Sequence, residues 1–259
     1  MRASWKGYFR IGDVVMPVRL YAATRSINLR FVQLDAKTHS PVQRVTVSTS
    51  DGRELTDDEI VRAVDYEGTL VELNENEIER GSGFERDIVV RQITDATAID
   101  PIYYSTPYYL VPDKGGELIY AVLRQAFEKT GKVAIATLLF YGHERLAMIV
   151  PREGVLHLQT LRFHEEIVPQ SSLRMPALPQ PAPGQVSLAS RVLEHYHMPF
   201  YASDYRNRQT DLLRELIERK VRGLPPEKRT YIASNATPED QITGKMEKML
   251  DDDPQTLDQ

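Results

Sequence analysis

Short apolar segments with the two-residue period of β-strands follow one another through the first 160 residues of the chain. The pattern predicts strands over residues 14–21, 29–34, 42–47, 69–73, 87–93, 133–141, 145–150 and 155–162. Residues 117–130 carry apolar side chains at helical spacing and are followed by Gly131, which predicts a long helix. Many strands with few interposed helices favour an antiparallel barrel over a parallel, doubly wound sheet. The predicted fold class is mainly β with α.

Three local signals refine the strand pattern. Gly142 and His143 predict a two-residue hairpin turn between two strands. Thr56 and Glu59 have the spacing of a capping box and predict a helix start. Residues 106–112 are extended in character, but prolines at both ends of this segment confine it to a short strand or a sheet edge.

The chain changes character after the last strand segment. Four prolines within residues 176–183 predict an extended spacer, which divides the chain into a barrel domain (1–175), a linker (176–185), a helical arm (186–224) and a flexible polar tail (225–259). Leu188, Val192 and Tyr196 share one face of a first helix in this part. A second helix carries an apolar stripe, and residues 242–250 could form one short amphipathic helix inside the tail.

The charge is unevenly distributed along the chain. The total is −5, but residues 57–99 hold twelve acidic and four basic side chains, while residues 1–56 hold nine basic and four acidic ones. Because the local field and not the total decides which surface attracts phosphate, a basic surface is compatible with the acidic total. An ordinary solvated surface with uneven charge remains the alternative.

Several classes of chemistry are not expected. The chain has no cysteine, so thiolate metal sites and a cysteine nucleophile are excluded, and a cytoplasmic protein fits best. No apolar run is long enough to span a bilayer, so no membrane partner is predicted. His195 and His197 are two residues apart and cannot hold one metal from one helix. Without a P-loop or a nucleophile elbow, we predict no cofactor, metal or catalytic residue. A hydrolase that uses His143 or His164 stays open.

Eight segments of the sequence resemble signature segments of the bacterial Ku proteins, in family order. They are residues 5–12 (WKGYFRIG), 15–24 (VMPVRLYAAT), 99–103, 107–112, 120–127, 201–205, 212–217 and 220–223. The resemblance implies a Ku-type β-barrel core with an extended arm at about residues 33–66, hereafter the arm. It further implies that two copies interlock through their arms and C-terminal helices into a ring around double-stranded DNA.

The resemblance also implies partners. Family members bind DNA ends without sequence preference and stimulate the multidomain ligase of end joining, which the C-terminal tail contacts. In this chain the implied ligase contacts are Met246, Met249 and Leu250, and the implied homodimer contacts are Leu212, Leu213, Leu216 and Ile217.

A protein that accepts any DNA end contacts phosphates through Lys and Arg, because it can read no base sequence. The predicted DNA-binding residues are Arg2, Lys6, Arg19, Lys37, Arg44, Arg53, Lys132 and Arg145. For each of them, an ordinary solvated base is the alternative. The tyrosines 103, 104, 108 and 109 could stack on bases, but packing within the protein is the commoner use and is preferred here.

The chain also departs from the family pattern. It lacks the cysteines that relatives often have around the arm, and a usual Gly-Tyr-Glu-Tyr motif is replaced by Asp65-Tyr66-Glu67-Gly68. Its tail ends on acidic residues 251–253, where many relatives have a lysine-rich extension. The acidic tail motivates an alternative function, a Ku-like protein that protects ends from nucleases without recruiting a ligase.

Overall fold

The computed structural model describes residues 1–74, 77, 87–225 and 237–253. The chain divides into two compact units. The first consists of Met1–Ser26 and Arg30–Ser172, and the second of Ile27–Leu29 and Leu173–Gln259.

Seven strands of the first unit close into a barrel. They are β1 (Trp5–Ile11), β2 (Val14–Ala22), β7 (Asp87–Asp95), β8 (Tyr104–Pro112), β9 (Lys132–Phe140), β10 (His143–Arg152) and β11 (Val155–Leu161). Their order around the barrel is β1-β2-β8-β11-β10-β9-β7. Every neighbouring pair is antiparallel except β7 and β1, which close the barrel in parallel. The prediction of a mainly β barrel with added helices is confirmed.

The barrel interior is a continuous apolar core. Phe9, Leu20 and Ile88 have no exposed surface, because alternate residues of each strand point inward. Helix α1 (Glu117–Thr130) adds Phe127 to this core. The Tyr120 hydroxyl ties the helix to two strands: it donates to the Leu110 carbonyl (2.9 Å) and accepts from the Leu156 amide (2.8 Å).

The loop before α1 approaches β2 so closely that it needs a glycine. A Cβ atom on Gly116 would lie 2.7 Å from the Pro17 carbonyl oxygen, nearer than van der Waals contact allows. The Asp113 amide donates to that same oxygen at 2.8 Å. The backbone of the loop is therefore packed directly against the strand.

Three details of the barrel differ from the sequence-based predictions. Strand β1 was not among the predicted strands, because Gly7 weakens the alternation of its inward positions. The hairpin turn is Tyr141-Gly142 and not Gly142-His143: both turn residues have positive φ (53° and 78°), and His143 already pairs with Phe140.

The third difference concerns β8. It is a nine-residue strand that pairs with β2 on one side and β11 on the other, so the prediction of a short or edge strand is wrong. Pro107 is tolerated because it lies beside a register shift between Gln159 and Leu161, where regular hydrogen bonding is already broken.

The arm has little regular structure. It contains β3 (Thr46–Val47), β4 (Glu54–Leu55) and β5 (Ala63–Tyr66), and β6 (Thr69–Glu72) follows it. The predicted strand at 29–34 is reduced to one bridge between Leu34 and Pro41, and only the last two residues of the 42–47 segment form a strand. All side chains from 31 to 47 are exposed, and within the described residues the pairing of this segment is limited to that bridge and to Thr46 and Val47 on β4. The predicted capping box is present, since Glu59 Oε2 accepts from the Thr56 amide at 2.9 Å.

The second unit contains three helices among its described residues: α2 (Pro183–His195), α3 (Arg208–Val221) and α4 (Ile242–Met249). Leu188 and Val192 are buried on α2, as their spacing predicted. Helix α4 packs against α2 within the segment expected to be a flexible tail. Residues 226–236 and 254–259 of that tail lie outside the described residues. None of the helices in the described ranges is both long and apolar enough to cross a bilayer.

Candidate nucleic-acid interface

Two of the predicted DNA-binding residues face each other on the outside of the barrel. Lys6 on β1 lies directly opposite Arg19 on β2 in the antiparallel register. Their neighbours Val18 and Leu20 point into the core, and so the strand alternation directs Lys6 and Arg19 outward. The closed barrel thus brings together two cations that are 13 positions apart in sequence.

Arg19 is also paired within the protein. Its guanidinium forms an ion pair with Asp113, which follows β8. The hydrogen bond from Arg19, assisted by the Lys114 amide, lowers the pKa of Asp113 to about 2. The same hydrogen bond raises the pKa of Arg19. Arg19 therefore fastens the loop before α1 to β2, and Lys6 contributes positive charge close to this ion pair.

Lys114 is a basic residue that the sequence analysis missed. It is exposed and directly follows Asp113, so it adds a cation next to the Arg19 ion pair. Lys114 lies near Arg19 because β2 pairs with β8, where Val18 is the partner of Pro112, 94 positions further along the chain. Nothing in the local sequence around Lys114 indicates that pairing.

The basic residues of the arm differ in how far nearby carboxylates compensate their positive charge. Arg53 lies between Glu59 (2.5 Å) and Asp51 (3.9 Å), so its charge is largely compensated. Arg44 donates to the neutral Gln33 side chain at 3.1 Å. Lys37 is exposed in a turn that is closed by its own backbone amide, which donates to Asp35 at 2.6 Å. Lys37 and Arg44 are therefore the arm cations best able to contact phosphate.

The end of the arm has the opposite charge. An open groove of about 850 Å³ is lined by Asp57, Asp58, Glu72 and Glu77, with Arg62 as its basic member. Such a groove repels phosphate. The structure thus separates the basic first half of the arm from an acidic second half.

The remaining three candidates lie at separate places. Arg2 is exposed before β1. Lys132 opens β9 and forms a half-exposed ion pair with Asp95 at 2.6 Å, a kind of contact worth only about 0–1 kcal/mol and easily exchanged for a phosphate. Arg145 is the third residue of β10 and lines a cavity together with Tyr108 and Tyr141.

The tyrosine group makes contacts inside the protein. The Tyr108 ring packs edge-to-face on Phe140, with 5.1 Å between centroids, and Tyr109 packs in the same way on His157 at 5.0 Å. The Tyr103 hydroxyl is hydrogen-bonded to Nδ1 of His164 at 3.1 Å. These contacts favour the packing interpretation.

A large apolar surface is uncovered along the arm and its flanks. Thirteen large apolar side chains between residues 31 and 73 are exposed, from 36% for Leu73 to 79% for Phe31. They are Phe31, Val32, Leu34, Val42, Val45, Val47, Ile60, Val61, Val64, Tyr66, Leu70, Val71 and Leu73. We call this set the apolar surface of the arm. Large exposed apolar patches are rare on soluble monomers, so this set is a candidate surface for a partner.

The second unit holds the predicted dimer and ligase contacts. On α3, Leu212 and Ile217 are 43% and 47% exposed, while Leu213 and Leu216 are half-buried. Met246, Met249 and Leu250 are all half-buried at the end of the chain where α4 packs on α2. Two hydrogen bonds hold this end: the Tyr196 hydroxyl donates to the Met249 carbonyl (2.9 Å), and His195 Nε2 lies 2.9 Å from the Asp252 carbonyl.

Within the described ranges, no three His, Asp or Glu side chains converge in a way that could hold a metal ion.

Comparison with known proteins adds independent findings. A sequence model of the family described as "Ku70/Ku80 beta-barrel domain" matches residues 10–188. A protein of Symbiobacterium thermophilum named "Non-homologous end joining protein Ku" is 37% identical over 229 residues, which are 87% of this chain and 57% of that protein. Proteins of the same name from Pseudomonas aeruginosa and Opitutus terrae are 33% and 32% identical, covering 85% and 88% of this chain and 77% and 86% of theirs. The chain thus spans less than two thirds of the Symbiobacterium protein.

Proposed function

The chain belongs to the Ku family, and from that premise we propose that two copies form a ring that holds double-stranded DNA ends and brings an end-joining ligase to them. Proteins of this family are non-enzymatic scaffolds that bind DNA ends. The proposed role is therefore binding in the repair of double-strand breaks by non-homologous end joining, carried out in the cytoplasm on the bacterial DNA. The hydrolase alternative has no support from the family.

The observation that carries the ring is the apolar surface of the arm. Thirteen large apolar side chains in water cost free energy that a folded chain recovers only by covering them. The arm cannot cover them itself, since from residue 31 to residue 74 only Ser48 and Leu55 are not exposed. A second copy of the chain is the partner we propose, because closed two-fold dimers are the commonest soluble assemblies. A separate proposed dimer contact is the exposed stripe of α3 at Leu212 and Ile217.

DNA binding in this proposal depends on phosphate contacts. Lys6 and Lys114 on the barrel, and Lys37 and Arg44 on the arm, supply cations whose side chains form no ion pair with a described residue. Such contacts read no base sequence, which suits a protein that accepts any broken end. A closed ring also slows release, because the DNA must slide to an end before it can leave.

A comparison of linear and circular DNA tests the proposal. We expect the protein to bind a linear duplex and to bind little to the same sequence in closed circular form, measured by gel shift alongside light scattering for the dimer. The affinity for the linear duplex is expected to fall with salt by ~0.9 log units per log unit of salt for each phosphate contacted. Equal retention of linear and circular DNA would contradict the ring.

Single substitutions identify the phosphate contacts. Lys37→Gln and Arg44→Gln are each expected to reduce the salt slope by ~1.8, because a ring of two copies loses two phosphate contacts of ~0.9 each. Lys129→Gln is the matched control, since Lys129 is an exposed base in the last turn of α1. If all three variants have the same salt slope, Lys37 and Arg44 do not contact phosphate.

Ligase recruitment through the tail faces a physical condition. Met246, Met249 and Leu250 are half-buried, and the Met249 carbonyl accepts from Tyr196. A ligase that contacts these side chains must therefore first displace α4 from α2. We expect Tyr196→Phe to ease this step and to raise ligase stimulation at low ligase concentration, and we expect deletion of residues 237–259 to abolish stimulation but keep end binding.

Assays on the full chain distinguish the end-protecting alternative, and the deletion then locates the ligase contact. Its motivation is the acidic sequence Asp251-Asp252-Asp253 at the end of the described chain. If the full chain shields linear DNA from an exonuclease but stimulates no end-joining ligase, the alternative replaces ligase recruitment. If stimulation survives the deletion, the ligase contact lies elsewhere on the chain.

A further inference from the structure

A cavity of about 240 Å³ lies between the first residues of β8 and β10 and the last residues of β9 and β11. We call it the hairpin cavity, because the β9–β10 turn forms one side of it. Its wall includes Tyr108, Phe140, Tyr141, Thr160, Arg145 and Arg162. Phosphate contacts along a ring do not require a concave, partly open pocket of this kind.

The hairpin cavity has an excess of positive charge. Arg162 is held in place because its Nη1 donates to the carbonyls of Ile102 (3.1 Å) and Tyr104. A guanidinium has five N–H donors, so Arg162 keeps donors on Nε and Nη2. Within the described part of the chain, Arg145 has no hydrogen bond or ion pair to a carboxylate. Glu166 is the acidic residue of the wall, and its Oε2 already accepts from the Phe163 amide at 2.7 Å.

Two guanidinium groups against one carboxylate favour an anionic ligand. Guanidinium matches the geometry of phosphate oxygens and holds them with charge-assisted hydrogen bonds. Arg145 is the more available of the two groups, because it is exposed and is not tied to backbone carbonyls. A phosphate group is therefore the anion that this wall fits.

The other part of the wall is aromatic. Tyr108 and Tyr141 both pack edge-to-face on Phe140, with centroids 5.1 Å and 4.5 Å from it. Tyr141 is 74% exposed, which leaves it accessible to a ligand. Turn geometry holds its backbone at a φ of 53°, and its hydroxyl reaches the Ser4 carbonyl at 3.4 Å. An exposed, positioned ring of this kind stacks on nucleobases without regard to their identity.

From this arrangement we propose that the hairpin cavity binds one unpaired nucleotide, with its phosphate on Arg145 and Arg162 and its base against Tyr141. The volume of about 240 Å³ lies below the roughly 300–1,000 Å³ of sites that enclose a drug-sized ligand, so one nucleotide is held only in part and a base pair is too large. The nucleotide has two sources, a free mononucleotide or the unpaired last nucleotide of a DNA strand. The site goes beyond the proposed ring, since neither the ring nor duplex binding requires it.

The chain carries its own reporter for this test. Trp5 is its single tryptophan, and its Nε1 donates to the carbonyl of Leu139, the residue before Phe140. Thymidine 5′-monophosphate is titrated into the full-length protein, with Trp5 emission and calorimetric heat followed in parallel. Saturable binding is expected, and thymidine alone or inorganic phosphate alone is expected to bind at least about tenfold more weakly, because each lacks one half of the contacts.

Variants locate the binding. Arg145→Gln and Tyr141→Ala are each expected to weaken thymidine monophosphate binding by about tenfold or more. Arg152→Gln is the matched control, because Arg152 is an exposed arginine at the opposite end of the same strand. Absence of saturable heat and emission change with thymidine monophosphate overturns the proposal, and so does equal weakening by Arg145→Gln and Arg152→Gln.

Two DNA duplexes separate the two sources. A duplex with a one-nucleotide overhang is compared with the blunt duplex of the same length. If the overhang duplex binds more tightly and Tyr141→Ala removes this preference, the site binds the end of a strand. If the free nucleotide binds but the overhang gives no preference, the site binds mononucleotides. The ring proposal is judged separately. If the protein binds blunt linear DNA but no nucleotide, only the cavity proposal is wrong. If it binds the nucleotide but does not prefer linear DNA, only the ring proposal is wrong.

Discussion

The barrel and the arm use the same kinds of apolar residue in opposite ways. In the barrel, Phe9 and Ile88 have no exposed surface, whereas in and beside the arm Phe31 and Leu70 are 79% and 73% exposed. Both regions carry strand-like sequence, but the barrel strands join one closed seven-stranded sheet, whereas the arm and its flank form two separate two-stranded sheets of short strands. We therefore expect the barrel to depend on contacts within the chain, and we propose that the apolar surface of the arm is covered by a second copy.

The largest difference is expected from truncating a phenylalanine in each region. Phe9→Ala empties a fully buried site and is expected to lower the free energy of unfolding by about 3–5 kcal/mol. Phe31→Ala, the counterpart outside the barrel, is expected to change it by no more than about 0.5 kcal/mol in the single subunit. Urea unfolding at low protein concentration measures both changes in the free energy of unfolding. Similar losses in the two variants would show that the two regions do not differ in how they are stabilised.

Backbone packing in the barrel provides the next test. Gly116→Ala forces a Cβ atom against the Pro17 carbonyl and is expected to cost about 1–3 kcal/mol of stability. Gly184→Ala is the control, because it lies in the first turn of α2 with no atom near the added Cβ. There the change is expected to stabilise by about 0.5–1 kcal/mol, since alanine is the better helix former. Thermal unfolding that leaves Gly116→Ala unchanged would show that the loop can move away from β2.

The arm is tested through self-association. Replacing Phe31 and Leu70 together by serine is expected to leave subunit unfolding nearly unchanged but to raise the dimer dissociation constant by about tenfold or more, or about 1.4 kcal/mol. Val168→Ser is the control, since Val168 is 71% exposed and lies outside the arm. Sedimentation measures the dissociation constant, and an unchanged value would remove the apolar surface of the arm from the interface.

The smallest expected effect is the acid dependence of the Arg19–Asp113 ion pair on the barrel. The folded pKa of Asp113 is about 2, below its usual value of 3.8, so the ion pair stabilises the fold fully above pH ~4. This stabilisation is lost as the pH falls from about 4 to 2. Asp113→Asn is expected to be less stable than the natural chain at pH 5, with a difference that shrinks toward pH 2. Asp13→Asn, a charge change that leaves Arg19 untouched, is the control, and a constant difference would refute the pairing.

Sequence reasoning succeeded where a signal is local. The α1 helix, its stop at Gly131 and the capping box of Thr56 and Glu59 depend on residues a few positions apart, and all three are present. It failed where a strand depends on its neighbours. The pattern at residues 29–34 looks like a strand, but no described part of the chain pairs with it beyond Leu34.

The same distinction between local signals and long-range contacts applies to the candidate nucleic-acid interface. Composition could nominate the basic residues, but it could not tell which of them the fold neutralises. Arg19 pairs with Asp113 and Lys132 with Asp95, partners that lie 94 and 37 positions away. Lys114 was missed for the same reason, since only the barrel brings it toward Arg19. The hairpin cavity likewise combines four strands and has no linear signature.

The sequence by itself determined the β character of the barrel, the positions of the main helices and the resemblance to the Ku family. These depend on periodicity and on motifs, which are properties of residues close together in the chain. Only the tertiary structure decided that β7 closes against β1 in parallel, that the apolar side chains of the arm stay in water and that Arg145 lines a cavity. Each of these is set by contacts between residues far apart in the chain, because burial and ion pairing depend on neighbours in space.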